Sequence, residues 1–206
     1  MPKQTLLLFL SILSLFSCKD HENPYTQEIK AHQTKLNEDY FNPETSPLKP
    51  EELIAFKEAG GHDFYSINPN FKVMAYLQKD TAQDTVVMPT SSEKVKSFDT
   101  YGTAQFVLNG KSYSLKIYQN YALQNQAEYK DYLFLPFRDH TSGRTTYGGG
   151  RYIDLTKTTS DSIVIDFNKS YHPYCAYTTG YSCPIPPEEN MIDLPIEAGI
   201  RFKGTN

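Results

Sequence analysis

The order of apolar and polar positions divides the chain into a short helical part and a longer part with strand-like alternation. Apolar residues recur at helical spacing over 25–41, which predicts a first helix with a thin apolar stripe. A second helix is predicted from Pro50 to the Gly60–Gly61 pair. Pro50 suits a first helical turn, and Glu51–Glu52 lie where the positive end of the helix dipole favours acids.

After Phe64 the pattern changes to alternation typical of β-strands. Asn109–Gly110 separates two alternating runs, and this pair favours the tight turn of a β-hairpin because both turn positions need positive φ. Strands are predicted over 71–78, 85–88, 103–108, 111–118, 131–137, 151–155, 162–167 and 195–202. Strands that follow one another without helices predict a mainly β fold, an antiparallel sheet forming a barrel or sandwich after two N-terminal helices.

The N-terminus has the pattern of a bacterial lipoprotein signal peptide. Lys3 precedes an apolar run over 6–16, which is too short for a spanning helix and ends just before Cys18. We therefore expect cleavage after residue 17, acylation of the Cys18 thiol with fatty chains such as palmitate, and a polar tether over 18–24. The remainder, 25–206, is predicted to be a single β-rich domain.

Composition limits the partners that we expect. Cleavage of 17 from 206 residues leaves 189, and loss of one Lys changes the net charge from −4 to about −5. An acidic chain argues against nucleic-acid binding. The expected location is the bacterial cell envelope, at the outer membrane on its periplasmic or external face, with membrane contact through the lipid only. The sequence indicates no cofactor and leaves the oligomeric state open.

Candidate chemistry is concentrated between 139 and 190. Tyr147 and Gly148–Gly150 precede the strand that begins at Arg151. The glycines suit a tight turn that needs positive φ, a nest of N–H groups for an anion, or close approach of the backbone to a small ligand. A nucleotide loop is disfavoured because these glycines open a strand rather than a helix. The ligand-binding candidates are Tyr147, Gly148, Gly149, Gly150, Arg151, Asn168 and Tyr171.

Arg151 allows two interpretations. It lies three positions before Asp154 on one strand, so the two side chains face opposite sides of the sheet. A buried bridge to Asp139 or Asp166 is the favoured interpretation, and an exposed guanidinium that binds an anionic ligand is the alternative. An enzymatic site built from Asp139, Tyr147, Arg151 and Asp166 is a further hypothesis.

Several motifs resemble a known family. Thr-Tyr-Gly-Gly-Gly-Arg-Tyr at 146–152, Asp-Phe-Asn at 166–168 and Cys-Pro-Ile-Pro-Pro-Glu-Glu-Asn at 183–190 resemble the signature of domain-of-unknown-function family 1684. The resemblance covers roughly 25–201, and a lipoprotein member of that family is expected. It implies no activity, and the chain departs from the pattern at 171–174.

Cys175 and Cys183 are the thiols that remain if Cys18 is acylated. An even number in an oxidising compartment favours a disulfide. Reduced thiols are an alternative, because cytosolic relatives carry the same pair. Zinc held by His172, the two thiols and a carboxylate is a weaker alternative, because a second close-spaced ligand pair is missing.

These features favour an envelope protein that binds a small polar or anionic ligand or a partner. A hydrolase-like enzyme and a structural envelope protein are the alternatives. An enzyme requires several polar groups to converge in one cavity, whereas a structural protein has them paired internally.

Overall fold

Two helices come first in the computed structural model, which describes residues 22–203. Helix α1 spans Pro24–Phe41 and helix α2 spans Pro50–Glu58, as the sequence predicts. The Asn23 side chain caps α1 by accepting the backbone N–H of Tyr25. None of the helices in this range is long and apolar enough to cross a membrane. The predicted signal peptide, 1–17, and Cys18 lie outside the described residues.

The rest of the described chain is mainly β-structure. Its strands are β1 (Asp63–Phe64), β2 (Lys72–Lys79), β3 (Thr85–Pro89), β4 (Val95–Leu108), β5 (Lys111–Asn120), β6 (Tyr132–Asp139), β7 (Arg151–Thr156), β8 (Ser162–Asp166), β9 (Met191–Ile192) and β10 (Ile200–Arg201).

One curled antiparallel sheet dominates the fold and has the shape of a half-barrel. Its strand order is β7-β6-β5-β4-β2-β8, with β3 added to β4 and the short β9 added in parallel to β6. Strands β1 and β10 form a separate antiparallel pair. The predicted hairpin joins β4 and β5, and Asn109 and Gly110 both have positive φ, 50° and 76°. The predicted mainly β, antiparallel fold with two preceding helices is confirmed.

The concave side of the sheet holds the main apolar core. Alternate residues of β2 point inward, namely Val73, Ala75 and Leu77, while their neighbours are exposed. Strand β6 is apolar on both faces. Leu133, Leu135 and Phe137 enter the main core, whereas Phe134 enters a second cluster on the other face.

The second cluster depends on a bulge in β4. The pairing of β4 with β5 shifts register between Thr100 and Gly102, where one extra residue interrupts the ladder. An extra residue reverses the alternation of side chains. Phe98 therefore packs in the second cluster, although Ala104 and Phe106, also at even positions, pack in the main core.

The last predicted strand, 195–202, is mostly wrong as secondary structure. Only Ile200–Arg201 pairs as a strand. The alternation itself is real, because Ile196, Ala198 and Ile200 are all fully buried. Their carbonyl groups accept hydrogen bonds from a side chain instead of a neighbouring strand.

Candidate functional site

Arg151 and Asp139 form a buried ion pair. Arg151 Nη2 lies 3.3 Å from Asp139 Oδ2, and neither side chain has any exposed surface. Thr141 Oγ1 donates to the same carboxylate at 2.8 Å. Burial lowers the pKa of the Arg151 guanidinium, and the nearby Asp139 carboxylate opposes this change. The bridge favoured by the sequence is thus present, and Arg151 is not exposed to a ligand.

The same pair holds the C-terminal segment in place. Arg151 Nη1 donates to the carbonyl of Ala198 at 2.6 Å, and Nη2 donates to that of Ile196 at 2.7 Å. Asp139 Oδ2 accepts the backbone N–H of Ile196 at 2.6 Å. The guanidinium and the carboxylate thus take the place of the strand that 195–199 lacks.

Asp166 and Asn168 belong to a different network. The Tyr25 hydroxyl of helix α1 donates to Asp166 Oδ1 at 3.0 Å, and the Asn168 amide donates to Tyr25 and to the carbonyl of Asn68. Asn168 is almost completely buried. These groups attach the first helix to the sheet, so they are used internally and do not converge with the Arg151 pair.

The glycines form a turn. The N–H of Gly150 donates to the carbonyl of Tyr147 at 3.0 Å. Gly150 has φ of 89°, and a Cβ there would lie 2.7 Å from the carbonyl oxygen of Phe137. The Tyr147 side chain lines an open depression beside Cys175, and it does not line the cavity described below.

Cys175 and Cys183 are placed as a disulfide pair requires, with their Cα atoms 6.3 Å apart. His172 has both ring nitrogens occupied: Nε2 accepts the backbone N–H of Tyr147 at 3.1 Å, and Nδ1 lies 2.8 Å from the Tyr177 hydroxyl. Among the described residues, these contacts argue against a zinc site built on His172 and the two thiols.

A second histidine continues this chain of hydrogen bonds. Because His172 Nε2 accepts, its Nδ1 carries the proton and donates to Tyr177, whose own O–H is left for His62 Nδ1 at 3.2 Å. His62 packs edge-on against the rings of Tyr40 and Phe56. Burial lowers the pKa of His62 to about 4, so both imidazoles are neutral at pH 7.

A cavity with many aromatic side chains and one carboxylate on its wall lies over the second apolar cluster. It encloses about 420 Å³ between β4, β6, β7 and the disulfide loop. We call it the aromatic pocket. The eight aromatic residues on its wall are Phe98, Tyr129, Tyr132, Phe134, Tyr152, Tyr171, Tyr174 and Tyr181. Of the ligand candidates from the sequence, Tyr171 lines it.

Asp154 is the acidic group of the aromatic pocket. Its Oδ1 accepts hydrogen bonds from the hydroxyls of Tyr171, at 2.6 Å, and Tyr132, at 2.8 Å. Burial, followed by the charge of Asp154, raises the pKa of both phenols far above the ordinary value. The two tyrosines thus stay protonated and donate to the carboxylate throughout the physiological range.

Tertiary pairing brings these groups together. Phe134 of β6 lies opposite Asp154 of β7, and Tyr152 bridges to Tyr171. Alternation already indicates that Asp154 faces away from Arg151. The register that places Asp154 beside Tyr132 is not readable from the chain, and Tyr132 was not a candidate for this reason.

Comparison with known proteins agrees with the motifs. A family model described as a protein of unknown function (DUF1684) matches residues 57–201. The solution NMR structure of an uncharacterised protein from Haloarcula marismortui is similar, with 30% identity and a TM-score of 0.67. The match covers 88% of this chain and 96% of that one. No functionally curated protein matches the chain.

Proposed function

Since this chain belongs to the DUF1684 family of proteins of unknown function, we propose from its own site that it binds a small polar ligand in the aromatic pocket. The observation that carries the proposal is a carboxylate, Asp154, in a cavity of about 420 Å³ with eight aromatic residues on its wall. Small-molecule sites are typically apolar clefts of about 300–1,000 Å³ with a few oriented polar groups.

The arrangement of the rings supports the binding proposal. Phe98 stacks on Phe134 at 5.3 Å between centroids and closes the floor. Tyr174 and Tyr181 contact each other at 5.0 Å above, and both remain substantially exposed. Exposed aromatic groups with a polar tip are suited to a ligand that has an apolar body and polar substituents.

An anionic ligand is less well supported. The guanidinium that would have bound it, that of Arg151, is paired with Asp139 and fully buried. Asp154 would repel an anion in the aromatic pocket, although the exposed Lys96 also lies on the wall. The same observations leave Arg151 and Asp139 without a direct role in binding.

We further propose that the domain is attached to the outer membrane through a lipid on Cys18, as an envelope protein. The support is the N-terminal pattern of Lys3, the apolar run over 6–16 and the cysteine that follows it. A ligand from the periplasm or from outside the cell would then reach the pocket without crossing the inner membrane.

A pair of variants in one loop tests the binding proposal. Leu123 is half-buried on the wall of the pocket, and Leu123→Trp should fill part of the cavity. Its exposed neighbour Ala122 is not on that wall, so Ala122→Trp is the matched control. We would screen choline, glucose and acetate by saturation-transfer NMR. We expect at least one probe to bind to the wild type and to Ala122→Trp but not to Leu123→Trp. Binding of no probe, or equal binding to all three proteins, would contradict the proposal.

A further inference from the structure

Only one of the two carboxylate oxygens of Asp154 accepts hydrogen bonds within the described residues. Both tyrosine hydroxyls donate to Oδ1, and within residues 22–203 no hydrogen bond reaches Oδ2. No lysine, arginine or histidine of the described chain forms an ion pair with Asp154. The exposed Asp154 carboxylate is therefore oriented by two donors and has no direct ion-pair partner among these residues, although Lys96 also lines the pocket.

Asp154 also lies where two cavities meet. A smaller cavity of about 260 Å³, between helix α1 and the sheet, shares Asp154, Tyr171 and Tyr174 with the aromatic pocket. Asp154 thus borders both cavities, together with the rings of Tyr171 and Tyr174. Lys35 of the smaller cavity is paired with Asp39 and does not offset the charge of Asp154.

The two tyrosines occupy Oδ1 of Asp154, so this oxygen is not available to a hydrogen-bond donor of the ligand. That oxygen already accepts two hydrogen bonds, so an additional partner must bind at Oδ2 or interact with the charge as a whole. A positively charged group is favoured, because it is attracted by the charge of Asp154 and can also lie against the negative faces of the surrounding rings. A neutral hydroxyl gains only one hydrogen bond, and an anion is repelled.

We propose that the aromatic pocket binds a small organic cation, with an ammonium or alkylated ammonium group held between Asp154 and the rings of Tyr132, Tyr171 and Tyr174. This inference rests on the proposed function and names its ligand class. Carboxylate and aromatic rings act together here: the carboxylate supplies the charge, and the rings replace the water that surrounds an alkylated ammonium.

Two probes and a neutral analogue provide the test. Choline and ethanolamine carry the charge, and dimethylbutanol has the shape of choline with carbon in place of nitrogen. By calorimetric titration of the full chain, we expect at least one cation to bind at least tenfold more tightly than dimethylbutanol. Asp154→Asn, which preserves the shape of the side chain, should weaken cation binding at least tenfold and leave dimethylbutanol unchanged. Asp161→Asn alters an exposed carboxylate in the turn between β7 and β8, and it should change the affinity for neither the cations nor dimethylbutanol.

The outcomes separate this inference from the proposed function. If neither cation binds, or if dimethylbutanol binds as tightly as choline, the cation assignment is wrong. If glucose or acetate binds instead and Leu123→Trp prevents it, the pocket is a binding site but for another class of ligand. If cations bind equally well to wild type and Asp154→Asn, the site of binding is not the one proposed.

Discussion

Arg151 Nη1 lies 2.6 Å from the carbonyl oxygen of Ala198, and both residues are fully buried. This contact connects the first residue of β7 to a segment that has no strand partner of its own. Arg151 is therefore a structural residue with several hydrogen bonds to the backbone. Its Nε, however, has no hydrogen-bond partner among the described residues. Asp139 and the backbone carbonyl groups together compensate the buried charge of the guanidinium.

Removal of the guanidinium should unfold or strongly destabilise the domain. Arg151→Ala leaves Asp139 buried without its counter-charge, and loss of one partner of a buried pair costs about 3–5 kcal/mol. Arg151→Lys, which retains the charge but not the fork of donors, should lose less. Urea unfolding followed by circular dichroism measures the change, with the exposed Arg144→Ala as control. An Arg151→Ala protein of normal stability would show that the pair is dispensable.

The disulfide should stabilise both the fold and the wall of the aromatic pocket. Closure of the short loop between Cys175 and Cys183 contributes about 2.5 kcal/mol by chain entropy. We expect the double variant Cys175→Ser/Cys183→Ser to lose about this much free energy of unfolding. It should also bind ligand more weakly, since Tyr174 and Tyr181 flank the bridge.

Mass spectrometry decides whether the bridge forms. The unreduced mature protein should be lighter than the reduced form by two hydrogens. Full titration of both thiols in protein isolated without reductant would contradict the prediction.

His62 should make stability fall in mild acid. Its pKa is about 4 in the folded chain and 6.5 ordinarily, so the unfolded chain takes up the proton first as the pH falls. The contribution of neutral His62 to the free energy of unfolding is fully present above pH 6.5. About 3 kcal/mol of it is lost as the pH falls from 6.5 to 4. The buried His172 acts in the same direction.

A variant separates this effect from general acid unfolding. His62→Gln should reduce the loss of unfolding free energy between pH 7 and pH 4.5. Chemical unfolding of the wild type and the variant at a series of pH values measures this loss. An unchanged pH dependence in His62→Gln would show that another group titrates.

Lipid attachment should depend on Cys18 alone. Cys18→Ala removes the proposed acyl acceptor, and we expect the precursor to stay uncleaved or to become soluble. Labelling with a fatty acid, followed by membrane fractionation, measures this, and Cys175→Ser serves as a control for loss of a thiol. Labelling of the Cys18→Ala protein would contradict the expectation.

Local pattern was sufficient for most of the elements. The helices, the Asn109–Gly110 hairpin and the inward residues of β2 follow from periodicity and turn chemistry, which act over a few neighbouring residues. The start of β4, residues 95–102, was missed because Val95–Ser97 are exposed and because the bulge between Thr100 and Gly102 breaks the alternation. Segment 195–199 alternates like a strand, yet its carbonyls are satisfied by Arg151.

Three features were readable from the chain alone, namely the fold class, Cys175 and Cys183 as a disulfide candidate, and the opposite facing of Arg151 and Asp154. These follow from local periodicity and from residue chemistry. The three-dimensional structure was needed to show that Asp139, rather than Asp166, pairs with Arg151. It also decided that Asp154 meets Tyr132 and Tyr171 in the aromatic pocket. The reason is strand register and the β4 bulge, because contacts between distant segments depend on long-range pairing that no local pattern encodes.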